Sequence, residues 1–205
     1  MQHPLSTPVS RRQTLAALGA GAATLTVARP AAALQEAPKS EAEQLLDSVA
    51  DNLLAHAPEG ATALGIDTGE RAPMRGQLSD RSPAGVAALA ATLKADLARV
   101  RAADTSGLDH KARTSLAVVD SAYSVALEGF ALPYGDVAVG GWRNTPYVVI
   151  QNVGAYLDIP RFLGSDHPLR NAADAEAYLA RLNAYPAALD GETERLKAAG
   201  AQGLI

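Results

Sequence analysis

Apolar side chains recur every three or four residues through most of the chain after residue 40, the spacing of one face of an α-helix. Four long segments show this pattern. The first begins at Ser40 and Glu43, which have the spacing of a capping box, and it ends near Pro58 and Gly60. Its apolar face is predicted to contain Leu45, Leu46, Val49, Leu53 and Leu54.

The second and third segments are predicted to form an antiparallel pair of helices. Ser82 is a typical N-cap and Pro83 stands at the first helical position, which favours proline. A short break follows at 105–107, Asp109 caps the third helix, and Pro133 forbids its continuation. The two apolar faces consist of Val86, Leu89, Leu93, Leu97 and Val100, and of Leu116, Val119, Tyr123, Leu127 and Phe130.

A fourth helix is predicted from Asp174 to Gly200, with Pro186 expected to kink it or split it. Its apolar face would consist of Tyr178, Leu182, Tyr185, Leu189 and Leu196.

Two segments between these helices lack the helical period. Residues 59–81 predict a loop that packs one or two apolar residues. Residues 133–170 are punctuated by glycine and proline yet hold most of the large aromatic side chains. Within them, residues 148–150 suit a short strand, a short helix or an extended segment. The pattern therefore predicts an all-α fold of about four long amphipathic helices with an irregular, aromatic-rich insertion.

The N-terminus has the features of a twin-arginine signal peptide over residues 1–33. Arg11 and Arg12 precede an uncharged stretch, and Ala31 and Ala33 offer the small side chains that signal peptidase requires. The uncharged stretch, residues 15–28, is too short to cross a bilayer. We therefore expect the twin-arginine translocase and signal peptidase as partners, a periplasmic or secreted location, a mature region of 34–205, and no stable membrane span after cleavage.

Charge and cysteine content exclude several classes of function. The chain has 18 basic and 22 acidic side chains, and cleavage would remove three arginines and no acid, which leaves a net charge of −7. An acidic surface of this size argues against nucleic acid as a partner. The absence of cysteine excludes disulfides and thiolate chemistry.

No catalytic or metal-binding motif can be recognised. His56, His110 and His167 are single and scattered, so surface or capping roles are expected for them. The acid pairs Asp47 with Asp51 and Glu192 with Glu194 are expected to form solvated helix faces. Nucleophile elbows and phosphate-binding glycine loops are absent from the sequence. The sequence therefore predicts no catalytic residue, no metal ligand and no cofactor in this chain.

One polar and aromatic cluster is a candidate cleft. It lies in a segment predicted to be loop, where binding groups are common. The alternative is that its aromatic side chains plug one end of a helix bundle while its polar groups bond local carbonyls. The cluster consists of Trp142, Arg143, Asn144, Tyr147 and Gln151.

Several segments resemble the bacterial family called domain of unknown function 885 (DUF 885). The resemblance rests on residues 141–147, 154–160, 167–169 and 174–182, and residues 63–67 and 78–80 also resemble the N-terminal part of the family. It implies a largely helical, exported protein that is a zinc-dependent peptidase with a peptide substrate. The family's His-Glu and Pro-Gly-His motifs do not occur among these 205 residues.

Two interpretations follow from the resemblance. The chain is expected to be the N-terminal part of a larger helical fold, since it ends after a turn signal without a closing element. It is expected to be inactive by itself, since it lacks the metal and catalytic motif. The alternative is a stand-alone periplasmic helical binding module without enzymatic activity.

Overall fold

The structure, a computed structural model, describes residues 39–141 and 145–204 and confirms the all-α fold in them. All the regular secondary structure in these residues is helical, and two isolated β-bridges occur besides the helices. The helices are α1 (Glu41–His56), α2 (Pro58–Ala63), a 3-10 helix η1 (Gly69–Gly76), α3 (Pro83–Ala102), α4 (His110–Phe130), α5 (Ala155–Ser165) and α6 (Ala172–Ala201).

The predicted caps at the starts of α1, α3 and α4 are confirmed. In α1, the Glu43 backbone N–H donates to Ser40 Oγ and the Ser40 N–H donates back to the Glu43 carboxylate. The Ser82 hydroxyl accepts from the Gly85 N–H, and the Asp109 carboxylate accepts from the Ala112 N–H. These bonds satisfy backbone donors that have no partner inside the helix.

The main core lies among α1, α3 and α4. Arg101 in the last turn of α3 contacts Asp120 and Ser124 in α4, whereas Val86 in the first turn of α3 lines the same cavities as Phe130 at the far end of α4. The two helices are therefore antiparallel, as predicted. The buried members of this core are Ala42, Val49, Leu93, Leu97, Val100, Leu116, Tyr123 and Ala126.

A second, smaller core joins α5 to α6. Its buried side chains are Ala155, Ile159, Phe162, Leu163 and Ala188. Pro160 lies inside α5 and has no N–H for the Tyr156 carbonyl four residues earlier. The Tyr185 hydroxyl of α6 donates to that carbonyl instead, at 3.4 Å, so α6 supports α5 where proline interrupts its bonding.

The prediction for the fourth helix was partly wrong. The helix begins at Ala172, two residues earlier than predicted, and Asn171 is its N-cap. It continues through Pro186 as one helix of 30 residues and does not split. Tyr178, Tyr185 and Leu189 pack on the second core as expected. Leu182 and Leu196 are exposed, however, and the buried positions are Asp174, Arg181, Ala188, Gly191, Glu192 and Ala199.

The two segments predicted to be irregular contain helices. Residues 58–63 form α2. Pro58 follows the end of α1 and also occupies the first position of this new helix, a position that favours proline. Residues 69–76 form η1. Within 133–170, α5 occupies eleven residues, and residues 148–150 are irregular and end in a single bridge between Ile150 and Val153.

No helix within the described ranges is both long and apolar enough to cross a bilayer.

Candidate functional site

Arg181 is the largest fully buried side chain in the described chain. Its guanidinium donates to the carbonyls of Gln77 and Met74 at 2.8 and 3.0 Å, and to the Thr62 hydroxyl at 2.9 Å. Its Nη1 lies 2.8 Å from Nδ1 of His167, and the guanidinium stacks on the Phe162 ring. Burial lowers the pKa of Arg181, and carbonyl and hydroxyl acceptors take the place of water around its charge.

His167 is buried, so the expectation of a surface or capping role was wrong. Because Nδ1 faces the Arg181 guanidinium, which can only donate, that nitrogen is the acceptor of the imidazole. Nε2 then carries the proton and donates to the Asp174 carbonyl at 3.0 Å. His167 thus links the end of α5 to the start of α6.

A second arginine binds two buried carboxylates next to this network. Arg75 of η1 makes two bonds of 3.0 Å to the two oxygens of Asp67 and one of 2.9 Å to Asp174. Thr62 also donates to Asp67, at 2.9 Å. The hydrogen bonds from Arg75 lower the pKa of Asp67 despite its burial. The hydrogen bond to Asp67 also raises the pKa of Arg75. These contacts fix η1 against α2 and α6.

An open cleft of about 540 Å³ lies where the end of α1, the start of α3 and the middle of α6 approach one another. The apolar residues of its lining, together called the apolar wall, are Leu53, Val86, Leu89, Phe130, Val137, Val139 and Val153. The charged and polar lining consists of His56, Ser79, Asp80, Arg81, Asp136, Asp158, Glu192 and Arg195. An apolar wall with a few converging polar groups is the usual composition of a ligand site.

Arg81 is the centre of the charged lining. Its Nη1 donates to Glu192 at 2.7 Å and lies 3.3 Å from Asp158. Although burial lowers the pKa of Arg81, the hydrogen bond and charge of Glu192 raise it overall, with further contributions from Asp158 and Glu59. Two carboxylates therefore contact one guanidinium.

Glu192 organises this part of the cleft. Its two carboxylate oxygens accept from the Ala155 N–H at 2.9 and 2.8 Å, so the negative charge lies at the N-terminus of α5. That position is favourable because the helix dipole is positive there. Glu192 is buried, and the prediction that it belongs to a solvated face was wrong. Glu194 is exposed, as expected.

Arg195 also lines the cleft. Its Nη2 donates to the Gly135 carbonyl at 3.2 Å and to Asp136 at 2.6 Å. Asp136 also makes an isolated backbone bridge to Thr145. Arg195 therefore fixes the segment that follows α4 against α6.

The predicted candidate cleft falls largely outside the residues that the structure describes. Trp142, Arg143 and Asn144 belong to the part that is not described, as do Arg11, Arg12, Ala31 and Ala33 of the predicted export signal. Tyr147 and Gln151 are exposed and do not line the cleft of Arg81 and Arg195. The role assigned to this cluster stays a prediction.

The other single histidines and acids have ordinary contacts. His56 Nε2 lies 2.9 Å from the Thr92 hydroxyl of α3, rather than bonding the last carbonyls of α1. His110 is exposed. Asp47 and Asp51, on the exposed side of α1, pair with Lys39 and Arg71. In the described part of the chain, no three histidine or acidic side chains are arranged to hold a metal ion, so zinc is assigned no ligand there.

The buried charges were not predicted from the sequence, because apolar side chains alone defined the predicted buried faces. Arg181 lies three residues after Tyr178 and four before Tyr185, so it stands on the same helical face as both. Asp174, Ala188 and Arg195 repeat at seven-residue intervals from it. Charged residues that share a helical face with apolar residues could therefore have indicated the Arg181 network and the residues of α6 that line the cleft.

Comparison with known proteins places the chain in a family. No curated protein matched it. The family described as "Bacterial protein of unknown function (DUF885)" matches residues 58–205, which include every helix from α2 to α6 and most of the cleft lining. The chain belongs to the DUF885 family.

Proposed function

We propose that this chain supplies a peptide-binding surface of an exported DUF885 protein, with the cleft between the start of α3 and the middle of α6 as the site. The observation that carries the proposal is the composition of this cleft, which combines apolar side chains with arginine and carboxylate groups. A peptide offers both apolar side chains and hydrogen-bonding main-chain groups, and this lining suits both.

The buried networks support a binding role because they hold the cleft walls in fixed positions. Arg181 holds α6 to η1 and α2, and Glu192 joins α6 to α5 and to Arg81. A preformed site loses less conformational entropy when a ligand binds. The resemblance to zinc-dependent peptidases is consistent with a peptide ligand, but we assign no hydrolytic step to residues 39–204.

Export by the twin-arginine route is part of the proposal. We expect replacement of Arg11 and Arg12 by lysine to trap the chain in the cytoplasm, because the paired arginines are the feature that this route recognises. Cell fractionation followed by immunoblotting measures the distribution. An unchanged periplasmic or secreted fraction in the double variant would contradict twin-arginine export.

Peptide binding is tested by calorimetric titration of the purified full chain with the C-terminally amidated tripeptide Ala-Phe-Ala. The variant Val153→Trp places a large side chain in the cleft and should weaken binding by at least about tenfold, equivalent to about 1.4 kcal/mol. Val118→Trp is the matched control, because Val118 is an exposed valine of α4 outside this cleft.

Equal losses in the two variants, or no binding by the parent chain, would refute the peptide-binding proposal. Addition of a metal chelator should leave the affinity unchanged, since the described cleft has no arranged set of metal ligands.

A further inference from the structure

The charged side chains that line the cleft have a net negative charge. Asp80, Asp136, Asp158 and Glu192 oppose Arg81 and Arg195, which gives the described lining a formal charge of −2 with His56 neutral. Glu59 adds a further negative charge near Arg81. A cleft with apolar walls strengthens such a field, because its low dielectric screens charge less than water does.

The Asp158 carboxylate is accessible and has unused capacity to accept hydrogen bonds. Its side chain is 44% exposed, whereas that of Glu192 is 7% exposed. Its contacts with Arg81 and with the Gly154 N–H are long, at 3.3 to 3.4 Å, and all of them involve Oδ2. An ionised carboxylate has about four acceptor positions, so Oδ1 retains the capacity to accept from a ligand.

The apolar wall lies in the same cleft as this carboxylate. Leu89, Phe130 and Val139 pack against the main core and also line the cleft. A ligand with a cationic head and an apolar body therefore meets both kinds of surface at once. An anionic head would instead encounter the negative lining without a free cation, because Arg81 and Arg195 already donate to carboxylates of the chain.

We propose that the cleft recognises an alkylammonium group, which the Asp158 carboxylate binds while the apolar wall receives the side chain next to it. This inference rests on the proposed peptide-binding function and specifies which chemical group of the peptide is recognised. In a peptide, the ammonium group comes either from the free N-terminus or from a lysine side chain.

The test compares three C-terminally amidated peptides by calorimetry with the full chain. They are Ala-Phe-Ala with a free N-terminus, the same peptide N-acetylated, and N-acetyl-Lys-Phe-Ala. We expect acetylation of Ala-Phe-Ala to weaken binding by about tenfold, as loss of one charge-assisted hydrogen bond does. Recovery of affinity by the lysine peptide would show that the cleft also accepts a side-chain ammonium. Absence of recovery would restrict recognition to the N-terminus.

A matched pair of variants tests the assignment to Asp158. Asp158→Asn should remove the preference for the free amine and leave the affinity for the acetylated peptide unchanged. Asp120→Asn is the control, because Asp120 pairs with Arg101 outside the cleft and its side chain is 43% exposed. It should keep the preference. In the parent chain, a higher salt concentration should weaken binding of the free-amine peptide more than binding of the acetylated peptide. This measurement does not depend on the folding of a variant.

The outcomes separate the two proposals. Equal binding of the free and acetylated peptides would overturn ammonium recognition and leave peptide binding intact. A preference that persists in Asp158→Asn would overturn the role of Asp158. Failure of all three peptides to bind would refute the peptide-binding function itself.

Discussion

At the scale of single residues, buried charges determine how the elements of this protein fit together. Arg181, Asp67 and Asp174 are almost completely buried, and each has several hydrogen-bond partners. Every buried side-chain donor or acceptor atom in the described part of the chain has a partner. Such fully satisfied networks specify one arrangement of their elements, because any other arrangement would leave a charge without a partner.

Replacement of Arg181 should destabilise the fold strongly. Arg181→Leu leaves the Gln77 carbonyl and Nδ1 of His167 without the donor that Arg181 supplies, and we expect a loss of about 3 kcal/mol in the free energy of unfolding. Urea denaturation measures it. Arg161→Leu is the control, because Arg161 is exposed on α5 and its replacement should change stability by less than about 0.5 kcal/mol. Similar losses in both variants would show that the buried network has no special role.

Asp67 should make the free energy of unfolding depend on pH in the acidic range. Hydrogen bonds from Arg75 lower its pKa below the ordinary 3.8, so its contribution is present in full above that value and is lost as the pH falls through the lowered pKa. Urea denaturation at pH 6 and at pH 3 should therefore show a smaller loss of stability for Asp67→Asn than for the parent chain. Equal losses in the two proteins would contradict this assignment.

At the scale of elements, the approach of α3 to α6 is set by a glycine. A Cβ atom at Gly191 would lie 2.7 Å from the Ser82 nitrogen and 2.9 Å from the Arg81 carbonyl carbon. The absence of a side chain therefore brings the start of α3, with Arg81, within reach of Glu192. The geometry of the cleft depends on this contact.

Gly191→Ala should destabilise the protein although alanine is the better helix former. We expect the overpacked contact to cost about 1–3 kcal/mol and to weaken peptide binding, because it displaces Arg81. Gly164→Ala is the matched control. Nothing lies within 4 Å of a Cβ at Gly164, so the substitution should be neutral or stabilise by up to about 1 kcal/mol. Thermal denaturation compares them, and a stabilised Gly191→Ala would contradict the close approach.

The sequence predicted the four long helices because their caps and apolar stripes are local signals. Ser40, Ser82 and Asp109 cap the helices that they were expected to cap. Helix α5 and the short helices α2 and η1 escaped prediction, because their proline and glycine residues are typical of loops. Contacts from α6 support them instead, such as the bond from Tyr185 to the carbonyl left free by Pro160. The cleft could not be predicted, because residues from α1 to α6 meet only in the folded chain.

At the scale of the whole molecule, the two cores are joined by polar contacts rather than by a continuous apolar interior. Arg181 connects α6 to α2 and η1, and Arg81 connects the start of α3 to α5 and α6. Because each network needs elements from both sides, neither core is expected to persist after the other unfolds. Residues 39–204 should therefore unfold as one cooperative unit.

Cooperative unfolding is measured by following far-ultraviolet circular dichroism and tyrosine absorbance of the full chain in urea. The helices of both cores contribute to the first signal, and Tyr123 of the main core and Tyr178 beside the second core contribute to the second. We expect coincident single transitions. Two separated transitions would show that the cores are independent.

The most direct test of peptide binding in the cleft is hydrogen exchange of the full chain with and without a saturating concentration of the amidated tripeptide Ala-Phe-Ala. We expect the peptide to slow amide exchange in three segments of the cleft lining, residues 79–89, 136–139 and 153–158. The exposed face of α4 around Val118 should exchange at its original rate. Unchanged exchange throughout, or protection confined to segments outside the cleft, would contradict the account.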